Sequence, residues 1–455
     1  MRFPRPGGPA RKARGRAAAL CVAALLASGA LSAAAAPAAP ADGGRAAAAI
    51  LPGPVVAWGA GSTGQLGNGR TDDSTTPVRT LQSRRTIGID GGANHSVSLR
   101  TDGTVWTWGL NTLGQLGDGT TTSSQRPVQV CAPGETAPCA NPLTDVVAVS
   151  AGAHHNLALR SDGSVVAWGD NEYGQLGDGT LTNRTTPVQV CARAGSAPCT
   201  AFLTDVTSLD AGSWHSLAVH LDGSVSSWGL NSSGQLGDGS DVFQRETPVQ
   251  VALTGEAGSV AGGGSHSLAL MRDSTVRGWG HNFFGQAGDG TTTTTYNHPV
   301  QVCAPGQTAP CTDFLDEVNE IAAGGSHSAA WRFDQTAVAW GDNRFGQLGD
   351  GTFGHQQNPV PVRVCAPGQT APCTGFLTGV YKISAGGDHT LAVLGDLTAA
   401  GWGSNGVGEL GDGTTVDRNT PVRVCSGRRP NPCAQPLTDV ITVAAGISHS
   451  LATHH

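Results

Sequence analysis

Residues 151–179 form a phrase whose close copies recur along the whole chain, and this recurrence constrains the fold more than any single motif. Seven Trp-Gly pairs begin at Trp58, Trp108, Trp168, Trp228, Trp279, Trp340 and Trp402. From Trp108 onward each tryptophan follows a histidine by 13 residues: His95, His155, His215, His266, His327 and His389. His449 is a seventh, with no tryptophan after it. Seven residues beyond each tryptophan stands Gln65, Gln115, Gln175, Gln235, Gln286, Gln347 or Glu409, inside Gly-Gln-Leu-Gly-Asp-Gly or a near copy. Fixed spacing inside the unit and loose spacing between units describe one supersecondary module repeated.

The module reads as β-structure. His155–Leu159 and Val165–Trp168 are short runs on either side of Ser161-Asp162-Gly163, and an Asp-Gly turn between such runs signals a hairpin. Gly169, Gly174, Gly177 and Gly179 then exclude a helix of useful length. With 66 Gly and 26 Pro in 455 residues, the whole chain suits many short strands joined by tight turns. Unit one starts at Val55-Val56-Ala57-Trp58 without a histidine strand, and the chain ends on a histidine strand, Ser448–Ala452, without a tryptophan strand. The two halves complement each other, so the last strands are expected to pair with the first and close a circle without a bare edge.

Residues 1–36 differ in kind. Arg5, Arg11, Lys12, Arg14 and Arg16 precede an apolar Ala/Leu run, the pattern of a secretory signal peptide, with a weakly apolar membrane anchor as the alternative. Residues 37–53 read as a disordered Ala/Pro/Gly tether and residues 54–455 as the ring. Without residues 1–36 the chain keeps 21 basic against 34 acidic residues, a net charge of −13. That balance argues against nucleic acid as a partner, and signal cleavage leaves no segment to insert in a membrane.

The ten cysteines beyond the signal peptide fall as Cys131/Cys139, Cys191/Cys199, Cys303/Cys311, Cys365/Cys373 and Cys425/Cys433, each pair eight apart. They lie in an insertion of about ten residues that five units carry and two lack. An export signal with even, locally paired cysteines implies five disulfides in an oxidising compartment. Each would contribute roughly 2.5 kcal/mol by the chain-entropy model. Metal binding fits poorly, because this spacing matches no usual zinc pattern.

The phrase Ala-Gly-x-x-His-Ser-Leu-Ala-Leu, then Asp-Gly, Val, Trp-Gly-x-Asn and Gly-Gln-Leu-Gly-Asp-Gly, resembles the regulator of chromosome condensation repeat. The resemblance covers about residues 54–455 and implies an all-β, seven-bladed β-propeller. It says less about function. Founding members of the family are exchange factors for a small GTPase, held on chromatin by basic segments. Their catalytic contacts find no residue-by-residue match here. In setting the chain is similar to secreted bacterial propellers that inhibit β-lactamases through one face of the ring.

Alternating strand direction places the Ala153-His154 turn and the Asn171–Tyr173 loop on one face, called the top, and Ser161–Gly163 and the Cys191–Cys199 loop on the bottom. Two top-face slots vary between units. The slot before the repeat histidine includes Trp214; the slot before Gly-Gln includes Tyr173, Phe284 and Phe345. Exposed aromatics serve as anchors at interfaces, so Trp214, Tyr173, Phe283, Phe284 and Phe345, with Arg344 beside them, are expected to form a binding ring. A histidine filling every unit reads as structural, each imidazole satisfying backbone groups of its own blade. No nucleophile elbow, phosphate loop or metalloprotease helix appears, so no catalytic residue, cofactor or metal is assigned. The sequence thus points to a secreted, monomeric propeller that binds a protein, with inhibition of a secreted or envelope enzyme as one form of that role. The alternatives are an exchange-factor-like regulator of a small GTPase and, third, a hydrolase or lyase with a site in the channel.

Overall fold

The computed structural model describes residues 52–455 apart from residue 196, residues 428–432 and residue 434. The expected signal peptide lies outside the described residues. Of the expected tether only Pro52 and Gly53 are described, and Gly53 exchanges two backbone hydrogen bonds with Thr86, at 3.1 and 3.3 Å. Among the described residues, 28 strands form seven four-stranded antiparallel sheets.

Each sheet is a blade running outward from a central channel. In blade two, Val146–Ala151 lines the channel and pairs with His155–Arg160, then Val165–Gly169, then Arg184–Gln189 at the outer edge. The Asp162-Gly163 turn joins the middle strands as expected: Asp162 Oδ1 accepts from the Ser164 amide and hydroxyl at 3.0 and 2.6 Å. Gly163 takes the left-handed φ of 79° that the turn demands. Blades one, three, four, five and six repeat this order, beginning at Thr86, Val206, Ala257, Val318 and Val380. Blade seven is composite. Val55–Gly59 lies against His449–His454 in unbroken register from Val55↔Thr453 to Gly59↔His449, so the first and last strands close the ring as expected.

What joins blade to blade is a polar knot inside an apolar interface. All seven repeat tryptophans are fully buried. The Trp228 indole Nε1 donates to the Gln175 carbonyl of the preceding unit at 2.9 Å. The Ser216 hydroxyl donates to that same carbonyl at 2.8 Å and lies 3.0 Å from His155 Nε2. A hydroxyl has one proton, and Ser216 has already spent it on Gln175, so His155 must donate: the imidazole is neutral and carries its hydrogen on Nε2. Gly177, two residues past Gln175, lies flat against the Trp228 ring; a Cβ there would stand 2.8 Å from indole Nε1.

The knot closes on itself. His95 reaches Asn156, His155 Ser216, His215 Ser267, His266 Ser328, His327 Thr390, His389 Ser450 and His449 Ser96, all at 2.8–3.0 Å. The structural role of the histidines stands, but their partners differ from the expectation. Each imidazole bonds a side chain of the next blade rather than backbone groups of its own. The reason is direction: the ring projects sideways out of the sheet, where the neighbouring blade's hydroxyl or amide is nearest.

Asp90, Ser150 and Asp210 add a second tie at the channel wall. Ser150 Oγ lies 3.1 Å from Asp90 Oδ2 and 2.8 Å from Asp210 Oδ1. The carboxyls also accept backbone amides of the following blades, Ala151 and Gly262, each at 2.8 Å. One hydroxyl proton cannot serve two carboxylates, so one carboxyl keeps its own proton. Burial pushes Asp90 up to about 6, and burial followed by the Asp90 charge pushes Asp210 up to about 7.

The five cysteine pairs all stand at disulfide distance. Cα–Cα separations are 5.7 Å for Cys131–Cys139 and for Cys191–Cys199, 5.8 Å for Cys303–Cys311, 5.9 Å for Cys365–Cys373 and 5.3 Å for Cys425–Cys433. Such pairs suit an oxidising compartment. The first cysteine of each pair is buried, while Cys139, Cys199, Cys311, Cys373 and Cys433 are half-buried. In four blades the second cysteine returns to the Gly-Asp-Gly turn of its own unit. Sγ of Cys139, Cys199 and Cys373 thereby stands 3.6 Å from the carbonyl of Asp118, Asp178 and Asp350, and that of Cys311 stands 3.8 Å from Asp289. Those aspartates belong to the Gly-Asp-Gly turns, whose glycines present no side chain to the loop packed on them; a Cβ on Gly351 would stand 3.1 Å from Cys373 Sγ. Cys433 departs from this pattern, its Sγ lying 3.4 Å from the Gln435 carbonyl. In the Cys191–Cys199 loop the Ala194 amide also donates to the Pro248 carbonyl of blade three at 3.0 Å.

Two outcomes follow from the knot. Ser216→Ala strands the His155 donor in a dry interface, and a fall of about 1–3 kcal/mol in unfolding free energy is expected from the urea midpoint. The second concerns pH. Burial holds His95, His215 and His389 down to about 4, and His155, His266, His327 and His449 to about 3. Below the ordinary value near 6.5 the unfolded chain takes up protons that the folded ring refuses, so stability falls with pH, by roughly 1.4 kcal/mol per histidine per pH unit. Asp90 and Asp210 act oppositely, because their raised values let the folded state hold protons that the unfolded chain has lost. Seven depressed histidines outweigh two raised carboxyls, and the urea midpoint is expected to drop steadily from about pH 6.5 to about pH 4.

Candidate functional site

The slot before Gly-Gln is held by its backbone, although in unit one the Thr63 hydroxyl also reaches Gln65 Oε1 and the Asn94 carbonyl. Asn171 Oδ1 accepts from the Leu176 amide at 2.9 Å, and Gln175 Oε1 accepts from the Tyr173 amide at 2.9 Å. The same bonds hold the Phe284 amide on Gln286 and the Phe345 amide on Gln347, at 3.0 and 2.9 Å. The side chain is left free to differ from unit to unit. Trp214 sits in a comparable position, its carbonyl accepting the Leu230 amide at 2.9 Å while the indole points away from the sheet.

The candidate residues fall into two patches on neighbouring blades rather than one ring. In the first, Trp214 packs edge-on against Tyr173 with ring centroids 5.7 Å apart. His154 lies 5.4 Å from Trp214, and Phe243 lies 6.2 Å from Tyr173. Contact between Tyr173 and Trp214 puts the loop after one blade's third strand and the turn of the next on a common face, as strand alternation requires. Phe243 is 56% exposed. It escaped the sequence reading because it lies beyond Gly-Asp-Gly, in a segment one residue longer than in the unit before it; that extra residue was the available signal. Burial lowers the His154 pKa, so its ring offers a neutral face near pH 7.

The second patch is built around a cation. Arg344 Nε donates to Asp342 Oδ2 at 2.7 Å, and Nη2 stands at ion-pair distance from the same oxygen, also 2.7 Å. The guanidinium stands 5.1 Å from the Phe284 ring and 5.9 Å from Phe345, within cation–π range. Phe283 packs edge-on against Phe284 at 5.0 Å and is 48% exposed. Asp388 lies beside this patch, its carboxyl pushed up by burial and by the Asp342 charge.

Arg344 and Asp388 also border the top mouth of the central channel, a cavity of about 650 Å³. Its wall carries the Asp90–Ser150–Asp210 tie and a Lys382–Glu320 pair at 2.6 Å, whose carboxylate also accepts from the Trp331 indole at 3.0 Å. Each of these groups is engaged with its neighbours, so the wall reads as a brace between inner strands. Sequence reasoning passed over Asp90, Ser150 and Asp210. The inner-strand slot they share varies from blade to blade, yet nothing local says that three successive blades bring them together. Among the described residues no group of three or more His, Cys, Asp or Glu is placed to hold a metal ion.

Residues 54–452 match the model of the RCC1-like domain. The chain is 30% identical over 385 residues to the Ultraviolet-B receptor UVR8 of Arabidopsis thaliana, covering 82% of this chain and 78% of the receptor. It is 32% identical over 409 residues to human E3 ubiquitin-protein ligase HERC2, covering 88% of this chain but only 8% of that protein. Among solved structures, Prp20p of Saccharomyces cerevisiae superposes with a TM-score of 0.70 at 22% identity, covering 89% of this chain and 92% of Prp20p. Human WBSCR16 superposes with a TM-score of 0.69 at 24% identity, covering 88% and 100%. At those identities the two structures speak to the fold alone. With a family model spanning the ring and a relative of similar length at 30% identity, the chain belongs to the RCC1-like domain family.

Proposed function

We propose that the ring is a protein-binding module, not an enzyme, and that it acts after export, gripping its partner by the top face. The observation that carries this reading is the continuous His154–Trp214–Tyr173–Phe243 surface. Large, rigid aromatics with few rotatable bonds bring contact area at low entropic cost, and Trp, Tyr and Arg are the side chains on which interface energy concentrates. The Arg344 patch extends the surface over the next blades, with its guanidinium fixed in place by Asp342 before any partner arrives. The five cysteine pairs and the N-terminal Ala/Leu run support export. Partner binding is also described for a propeller of the same fold, since the Prp20p structure was reported with its binding properties to Gsp1p and histones. A rigid ring with one sticky face suits an inhibitor that caps a secreted or envelope enzyme.

The test uses the exported protein as bait against secreted and envelope proteins, beside a Tyr173→Ala/Trp214→Ala/Phe243→Ala variant. The parent is expected to retain a partner that the folded variant releases. Each single alanine change is expected to weaken binding by about 1–2 kcal/mol in calorimetry with that partner. Equal capture by parent and variant would sink the top-face reading.

A further inference from the structure

On the bottom rim blades two, four and five carry the same ion pair, and blade one replaces its acid with a base. The residue just before each inner strand is Asp145, Asp205, Glu256, Glu317, Gly379 or Asp439 in blades two to seven, and Arg85 in blade one. Its backbone plays the same part in every blade but the sixth: the Arg85 carbonyl accepts the Thr101 amide at 3.0 Å, as Asp145 accepts Ser161 at 2.8 Å and Glu317 accepts Phe333 at 2.8 Å. In blades two, four and five the carboxylate meets the arginine that ends or follows the second strand. Arg160 lies 3.6 Å from Asp145, Arg332 lies 3.3 Å from Glu317, and Arg272 pairs with Glu256. In blade one the second-strand residue is Arg100, so a cation stands where its counter-ion belongs.

Arg84 precedes Arg85, and both are exposed, as is Arg79. These three arginines make no ion pair among the described residues, unlike Arg160, Arg272 and Arg332 on the same rim. Together with Arg100 they line a cleft of about 560 Å³. Two carboxylates stand nearby. Asp102, in the cleft, has Oδ1 taken by the Thr104 amide and hydroxyl at 3.0 and 2.6 Å; Asp439 lies beyond His454 on blade seven. The cleft is rigid. Ser83 Oγ accepts the Val55 amide at 3.0 Å and donates to the Thr80 carbonyl at 2.9 Å, while the Thr86 hydroxyl donates to the Ser83 carbonyl at 2.9 Å. Arg100 is stacked on the Trp106 ring, 3.7 Å from its centroid, and one of its Nη atoms donates to the Gln82 carbonyl. Four guanidinium groups are thus assembled with no described carboxylate at ion-pair distance, on a protein whose remaining charge is acidic.

We propose that this cleft on the bottom rim of blade one binds an acidic segment of a protein, whose carboxylates take the place that Asp145 and Glu317 fill in their own blades. Arginine forks receive carboxylates in pairs of parallel hydrogen bonds, and the acidic balance of the remaining charge steers such a segment toward this basic cleft. The site lies on the face opposite Trp214 and Tyr173 and does not rest on the top-face reading.

The full-length protein is titrated calorimetrically with hexaglutamate, beside Arg85→Asp, Arg84→Gln and the top-face Tyr173→Ala/Trp214→Ala/Phe243→Ala variant. The parent is expected to bind, with affinity falling roughly tenfold between about 20 and about 200 mM salt. Arg85→Asp restores the residue that blades two and three carry at φ 62° and 58°, a conformation Asp tolerates better than Arg. It is therefore expected to lose roughly tenfold or more in affinity while its melting temperature holds or rises. Arg84→Gln is expected to weaken binding to a smaller degree, and the top-face variant to bind as the parent does. No heat with the parent, unchanged affinity in Arg85→Asp, or loss in the top-face variant would each overturn the assignment.

Discussion

One backbone carbonyl per blade sets the spacing of the whole ring. The Gln175 carbonyl of blade two receives two donors from blade three, the Trp228 indole and the Ser216 hydroxyl, and that hydroxyl receives a third hydrogen from His155. Burying tryptophan would bring two sheets together but would tolerate sliding, because apolar contact has no direction. A carbonyl with two lone pairs and two fixed donors does not tolerate it. In a dry interface a displaced donor loses its partner and finds no water in exchange, so the polar knot selects one inter-blade angle. Gly177 completes the arrangement by leaving the indole room to lie against the backbone.

The parts of this arrangement that are local in sequence were legible. Trp168, Gly177, the Asp162-Gly163 turn and the split first unit identify strands, turns and closure, because each signal sits within a few residues of its structural effect. Pairing of Cys131 with Cys139 was legible for the same reason, whereas the seat of Cys139 on the Asp118 carbonyl, 21 residues back, was not. The partner of His155 was equally hidden. Ser216 lies 61 residues away in another unit, and the variable inserts between units erase any fixed offset. The same distance concealed the joint role of Asp90, Ser150 and Asp210, which one hydroxyl unites across three blades. For the binding surface, slot variation picked out Trp214 and Tyr173 but could not say which aromatics touch. Contact depends on blade order and side-chain direction, and these divided Tyr173 from Phe345. Phe243 shows the complementary failure, since a one-residue lengthening moves its side chain out of the template that the unit before it provides.

The same physics divides the molecule into what must stay and what is free to change. Main-chain atoms of residues such as Tyr173 and Arg85 make bonds that recur from blade to blade, while their side chains take no part in the knot. Variation confined to such positions alters chemistry without disturbing the knot. The top face collects aromatic side chains this way, and the bottom rim exchanges a carboxylate for a guanidinium. Two surfaces of different character therefore rest on one scaffold.

The composite blade has a mechanical consequence. Val55 pairs with Thr453, and His454 follows at once, so the two ends of the ring leave from the same end of an antiparallel pair. A pull applied between them loads those rungs one after another, as a zipper is drawn, instead of sharing the force across all rungs together. The closure that completes blade seven is thus the seam most compliant to tension, and a pull on both ends would open the circle there before disturbing the interfaces between whole blades.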